Sequence, residues 1–127
     1  MLANTDAIAT VGVRDIAAAR TFYGEVLELQ EDEARSHYPD FLTYRSGATL
    51  VQVYQSTFGG TNQATSVTWD VGNRLETVVD ALLAKGVRFE HYDMPGMRLE
   101  GDIHVAEGMK AAWLKDPAGN VLNINGT

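Results

Sequence analysis

The chain has 127 residues, 45% of them hydrophobic and 21% charged, and no cysteine. That is one domain's worth of globular protein, long enough to bury a core without staples, and it excludes disulfides, thiolate metal sites and a cysteine nucleophile. The formal net charge of −7, spread over both halves, disfavours nucleic acid and anionic membranes as partners, because phosphate binding needs a basic face.

The N-terminus, Met1 to Asp6, lacks the basic and apolar regions of a signal peptide. No apolar run approaches the roughly 20 residues of a membrane span, so a cytoplasmic protein is expected. Residues 6–13 read as a strand rich in β-branched side chains, among them Ile8, Thr10, Val11 and Val13. Asp15 then suits a helix N-cap. Ile16, Ala19, Phe22, Tyr23 and Val26 give that helix one apolar face, and it should end near Leu27. Three strands follow, roughly 30–37, 40–46 and 48–55, with Ser46-Gly47 as the turn between the last two. Residues 57–64 read as a connector.

A second strand, Ser66 to Val71, leads to a second helix. Leu75, Val78, Val79, Leu82 and Leu83 form a core-facing stripe. Asn73 and Glu76 suit a capping arrangement, and Gly86 sits where a terminating glycine belongs. Strands near 87–92, 109–115 and 120–125 complete this half, separated by a long segment from Asp93 to Gly108. Asp116-Pro117-Ala118-Gly119-Asn120 is a hairpin turn: Pro117 presets φ, and Gly119 supplies a positive φ. Overlaying Val13 on Val71 gives an offset of 58 residues, so the chain is a duplication. The two modules span 5–56 and 65–126.

Two tandem βαβββ modules, with Phe22-Tyr23 four residues before Leu27 and D-P-A-G-N before the last strand, resemble the vicinal oxygen chelate superfamily. That superfamily includes glyoxalase I, extradiol dioxygenases, fosfomycin-resistance enzymes and bleomycin-binding resistance proteins. The resemblance runs from about Asp6 to Asn125 and implies an α+β fold, two tandem βαβββ modules forming curved mixed sheets around a cavity. It also implies a divalent metal held by His or Glu side chains from four strands. Carried over by spacing, the four positions fall at Ile8, Gln52, Ser66 and Asn123. Isoleucine cannot ligate, and three neutral oxygens hold a divalent ion poorly without a charged companion. A slip of one residue reaches no better set. No metal and no other cofactor are therefore expected.

Strand alternation groups the remaining candidates. Gln52 shares a face with Leu50 and Tyr54; Ser66 shares one with Thr68 and Asp70; Asn123 shares one with Asn125. These mixed faces suit a cavity lining, or equally a half-solvated sheet. Tyr44, Tyr92, Met94 and Met97 join Gln52, Tyr54, Ser66, Thr68 and Asn123 as ligand-binding candidates. The aromatics equally suit core packing. His37, His91 and His104 are far apart and show no metal-ligand spacing. Asp70 could serve acid–base chemistry if buried.

The favoured expectation is a metal-free small-molecule binding protein resembling the bleomycin-resistance branch and sequestering a ligand or antibiotic. The alternative is a lyase- or isomerase-like enzyme with a non-standard metal site or a metal-free acid–base site. An interaction module is a third possibility. The resemblance further implies a two-fold homodimer, which would also cover sheet edges. Tyr92 to Ala106 is read as a flap over the cavity, its methionines giving an adaptable apolar surface.

Overall fold

The computed structural model describes residues 1–36 and 39–127. His37 and Tyr38, and with them the end of the expected 30–37 strand, lie outside the described residues. Two units are distinguished: residues 1–62 with 117–120, and residues 63–116 with 121–127.

The first unit runs β1 (Ala9–Val13), α1 (Ile16–Thr21), a π-helical turn (Phe22–Val26), β2 (Gln30–Glu31), a short 3-10 turn (Glu33–Arg35), β3 (Phe41–Ser46) and β4 (Thr49–Gln55). Its sheet has the order β1-β4-β3-β2, with β1 parallel to β4 and the other pairs antiparallel. Asp15 caps α1 as expected, its carboxylate accepting the Ala18 N–H at 3.1 Å. The helix then widens, and Leu27 donates to the Phe22 carbonyl at 2.9 Å, a five-residue spacing. A π-turn carries one extra residue per turn; here two consecutive rings, Phe22 and Tyr23, are both buried and meet edge to face at 5.1 Å. Glu28, at φ 60, ends the element. The strand expected over 30–37 shrinks to two paired residues because the chain coils into the 3-10 turn, which stays bonded to Thr43 of β3 but breaks the regular ladder.

The second unit runs β5 (Thr65–Asp70), a 3-10 turn (Gly72–Arg74), α2 (Leu75–Ala84), β6 (Phe89–Glu90), β7 (Arg98–Glu100), β8 (Ile103–Ala106), β9 (Met109–Lys115) and β10 (Val121–Gly126). Its order is β5-β10-β9-β8-β7, with β6 also pairing β9. Leu75, Val79 and Leu82 of α2 are buried, whereas Leu83 is 42% exposed and forms the margin of the stripe. The Asn73–Glu76 capping arrangement does not form. A 3-10 turn leads into α2 instead, Asp70 caps the Gly72 N–H at 3.0 Å, and Glu76 reaches across to Lys110 Nζ at 2.8 Å. Gly86 ends the helix at φ 88 as expected.

The duplication is visible in the register. Thr10 lies opposite Gln52 and Thr68 opposite Asn123, both across parallel strand pairs; the two threonines are 58 residues apart. The D-P-A-G-N turn does a second job beyond reversing the chain. Its residues 117–120 belong with the first unit: Asn120 Nδ2 donates to the Gly12 carbonyl at 2.7 Å, and Gly60 approaches Ala118 so closely that no side chain fits between them.

The largest departure is in the segment from Asp93 to Gly108. Arg98–Ala106 is not a flap: it forms the β7–β8 hairpin, and β8 pairs with β9. Ile103, His104 and Val105 are all buried, which makes β8 an interior strand despite its shortness.

Candidate functional site

Residues directly opposite one another in paired strands project on the same face. In the second unit Thr68 faces Asn123, Asn123 faces Trp113, and Trp113 faces Glu90. The next row is Asp70, Asn125, Ala111, His104 and Leu99. The opposite face carries Val67, Leu122, Leu114 and Phe89, all buried. One face is therefore core, and the other is polar and aromatic.

His104 is the centre of that second face. It is 1% exposed, and its ring meets Trp113 edge to face at 4.8 Å, with Tyr92 at 6.1 Å and His91 at 6.4 Å. Its Nε2 accepts the Tyr92 backbone N–H at 2.9 Å, which assigns the imidazole proton to Nδ1. Nδ1 is buried and has no hydrogen-bond partner among the described residues. A buried donor left unpaired costs about 1–3 kcal/mol.

Trp113 is half-buried, and its indole N–H donates to Thr65 Oγ1 at 3.2 Å. Asn123, 4% exposed, gives one amide N–H to the Ala112 carbonyl at 3.2 Å, leaving its Oδ1 to accept. Burial raises the Tyr92 phenol pKa; the neighbouring Glu90 charge adds to this and Lys115 offsets it. Beside this face a cavity of about 350 Å3 is lined by His91, Tyr92, Asp93, Met97, Arg98 and Leu99. His91 Nε2 pairs with Asp102 Oδ1 at 2.7 Å.

The candidates read from the sequence distribute unevenly. Thr68 and Asn123 share the face described above. Tyr92 and Met97 line the 350 Å3 cavity, while Met94, half-buried, closes the turn before it by accepting the Met97 N–H at 3.1 Å. Ser66 is exposed near the start of β5. Gln52 and Tyr54 belong to the first unit and share a face with Thr10, Thr43 and Phe41. Tyr44 does not join them. It lies opposite Val51 on the other face, 1% exposed, with its ring 6.1 Å from that of Tyr23. The odd–even alternation of β3 against β4 puts it in the core, where its hydroxyl has no partner among the described residues. His104 is invisible to ligand spacing; its sequence signal is the alternation Ile103-His104-Val105 between Gly101 and Gly108.

The four positions that would hold the superfamily's metal do not fit one. Ile8 has no donor atom, and Gln52, Ser66 and Asn123 offer only neutral oxygens with no charged companion among them. Among the described residues no group of three or more His, Cys, Asp or Glu side chains could hold a metal ion.

No family model matches the chain, and no curated protein matches its sequence. Solved structures do. Lactoylglutathione lyase from Agrobacterium tumefaciens is similar with a TM-score of 0.70 at 15% identity, over 97% of this chain and 93% of that one. A glyoxalase/bleomycin resistance protein/dioxygenase from Alicyclobacillus acidocaldarius matches with a TM-score of 0.70 at 18% identity, over 97% and 91%. The genomically encoded fosfomycin resistance protein of Listeria monocytogenes matches with a TM-score of 0.65 at 11% identity, over 100% and 93%. The chain has the fold of the vicinal oxygen chelate superfamily, and at these identities the likeness speaks to fold alone.

Proposed function

We propose that this protein binds a small organic molecule, without a resident metal, on the polar and aromatic face of its second sheet. The observation that carries this reading is the convergence of Trp113, His104, Asn123 and Thr68 on one face beside a 350 Å3 cavity. Binding sites are mostly apolar with a few placed polar groups. Trp113 offers a ring face for an aromatic or cationic group. Asn123 Oδ1 and the Thr68 hydroxyl supply acceptors, and Glu90, opposite Trp113, adds negative charge to a chain already at −7. A cationic heteroaromatic compound suits these groups. The protein works as a homodimer in this reading, the commonest form of soluble homo-oligomer, with a sequestering role akin to the bleomycin-resistance branch.

A second reading is a lyase- or isomerase-like enzyme acting by proton transfer. The His91–Asp102 pair favours it, since a carboxylate 2.7 Å from an imidazole orients a base at the cavity wall. A thermal-shift screen of cationic aromatic compounds tests both. Hits recovered chemically unchanged after prolonged incubation support binding, and hits converted to product support the enzyme. A broad panel without a hit contradicts both. Sedimentation as a monomer at micromolar concentration contradicts the dimer.

A further inference from the structure

The first unit has its own concavity, of about 460 Å3, with Arg35 and Arg45 on its lining beside the apolar side chains of Ala7, Ile8 and Leu50. Arg45 lies opposite Leu50 at the end of the β3–β4 pair. Arg35 comes from the 3-10 turn, and that turn is tied down. Thr43, fully buried, donates its hydroxyl to the Arg35 carbonyl at 3.0 Å and its N–H to Ser36 Oγ at 3.0 Å, while Ser36 Oγ donates to the Asp32 carbonyl at 3.0 Å. The result is two guanidinium groups on one carboxylate oxygen: Arg35 Nη1 at 3.3 Å and Arg45 Nη2 at 3.2 Å from Asp32 Oδ2. Asp32 is 8% exposed, so one guanidinium is needed to neutralise it. The arginine pair thus carries one positive charge beyond that of Asp32, next to an apolar wall, and Asp6 is the other charged side chain on the lining.

We infer that this concavity recognises the carboxylate of a small organic acid with an apolar body. A planar guanidinium fork matches a carboxylate in two parallel hydrogen bonds, and Leu50 and Ile8 receive the rest of the molecule. Asp6, also on the lining, sets the charge preference: it opposes a dianion such as phosphate more than a monoanion. This site stands in the first unit and rests on no part of the reading of the second sheet.

The test is a chemical-shift titration of the full chain at low salt with three probes: benzoate, benzamide and inorganic phosphate. Benzoate is expected to give saturable shifts centred on Arg35, Arg45 and Leu50, with benzamide and phosphate at least about tenfold weaker. Arg45→Gln and Arg35→Gln each weaken benzoate by about tenfold or more. Asp6→Asn tightens it, a gain that a damaged fold could not produce. Benzamide binding as well as benzoate, phosphate binding better, or unchanged affinity in both arginine variants overturns the inference.

Discussion

Gly60→Ala tests how the D-P-A-G-N turn is held. Gly60 has φ 75, and a Cβ built there would stand 2.5 Å from the Ala118 carbonyl carbon and overlap its oxygen. A non-glycine residue at such a φ costs about 1–2 kcal/mol. The turn must also retreat by more than an ångström, and the Asn120 to Gly12 hydrogen bond, only 2.7 Å long and with Asn120 4% exposed, cannot follow. Losing a buried bond of this kind costs about 1–3 kcal/mol. The sum is roughly 2–5 kcal/mol, a large share of the 5–15 kcal/mol that stabilises a small domain. Gly47→Ala is the internal control, because Gly47 has φ 57 and a Cβ there meets nothing within 4 Å; it should show the backbone cost alone. Urea denaturation of the two variants separates strain from contact. Equal midpoints for both would refute this account of the turn.

Tyr44→Phe should be neutral or stabilising by up to about 1 kcal/mol, since the hydroxyl it removes is buried without a partner among the described residues. The same variant bears on alkaline stability. Burial, reinforced by Glu31, raises the Tyr44 pKa above its ordinary 10.0, so its contribution is complete below pH 10 and lost as pH rises through the folded value. Thermal melts between pH 9 and 11 should fall more steeply for the wild type than for Tyr44→Phe. Glu76 behaves in the opposite sense: its hydrogen bond from Lys110 lowers its pKa below 4.5, so its contribution is present above pH 4.5 and lost as pH falls through the folded value. Melts between pH 3 and 6 should show a shallower acid limb in Glu76→Gln. For His104, nitrogen-15 spectra are expected to show the proton on Nδ1. The Nε2–H form would contradict the Tyr92 hydrogen bond.

The architecture was legible because it rests on local signals. Asp15 caps its helix, Gly86 ends the other, and the apolar alternation of β4 and β10 reports which face is core. The site was legible only in part. Thr68 and Asn123 follow from alternation within a strand, but their meeting with Trp113 depends on register between strands, which no single segment encodes. Tyr44 was misplaced for the same reason: an aromatic in β3 can face either way until its pairing with Val51 is known. The β7–β8 hairpin was hidden because β7 is only three residues long, all exposed, with Leu99 its one apolar side chain, too short to show a period. Asn73 looked like a cap, yet the 3-10 turn that replaces it is set by Asp70 holding Gly72.

Trp113 fluorescence tests the central claim most directly. In Trp69→Phe protein, Trp113 is the remaining tryptophan, so its emission reports the candidate face alone. Titration with the cationic aromatic compounds found by thermal shift should quench it saturably, equally with and without a metal chelator, and Asn123→Leu should weaken the binding by about tenfold through the lost acceptor. Binding that leaves Trp113 emission unchanged, or that vanishes with the chelator, would contradict a metal-independent site on this face.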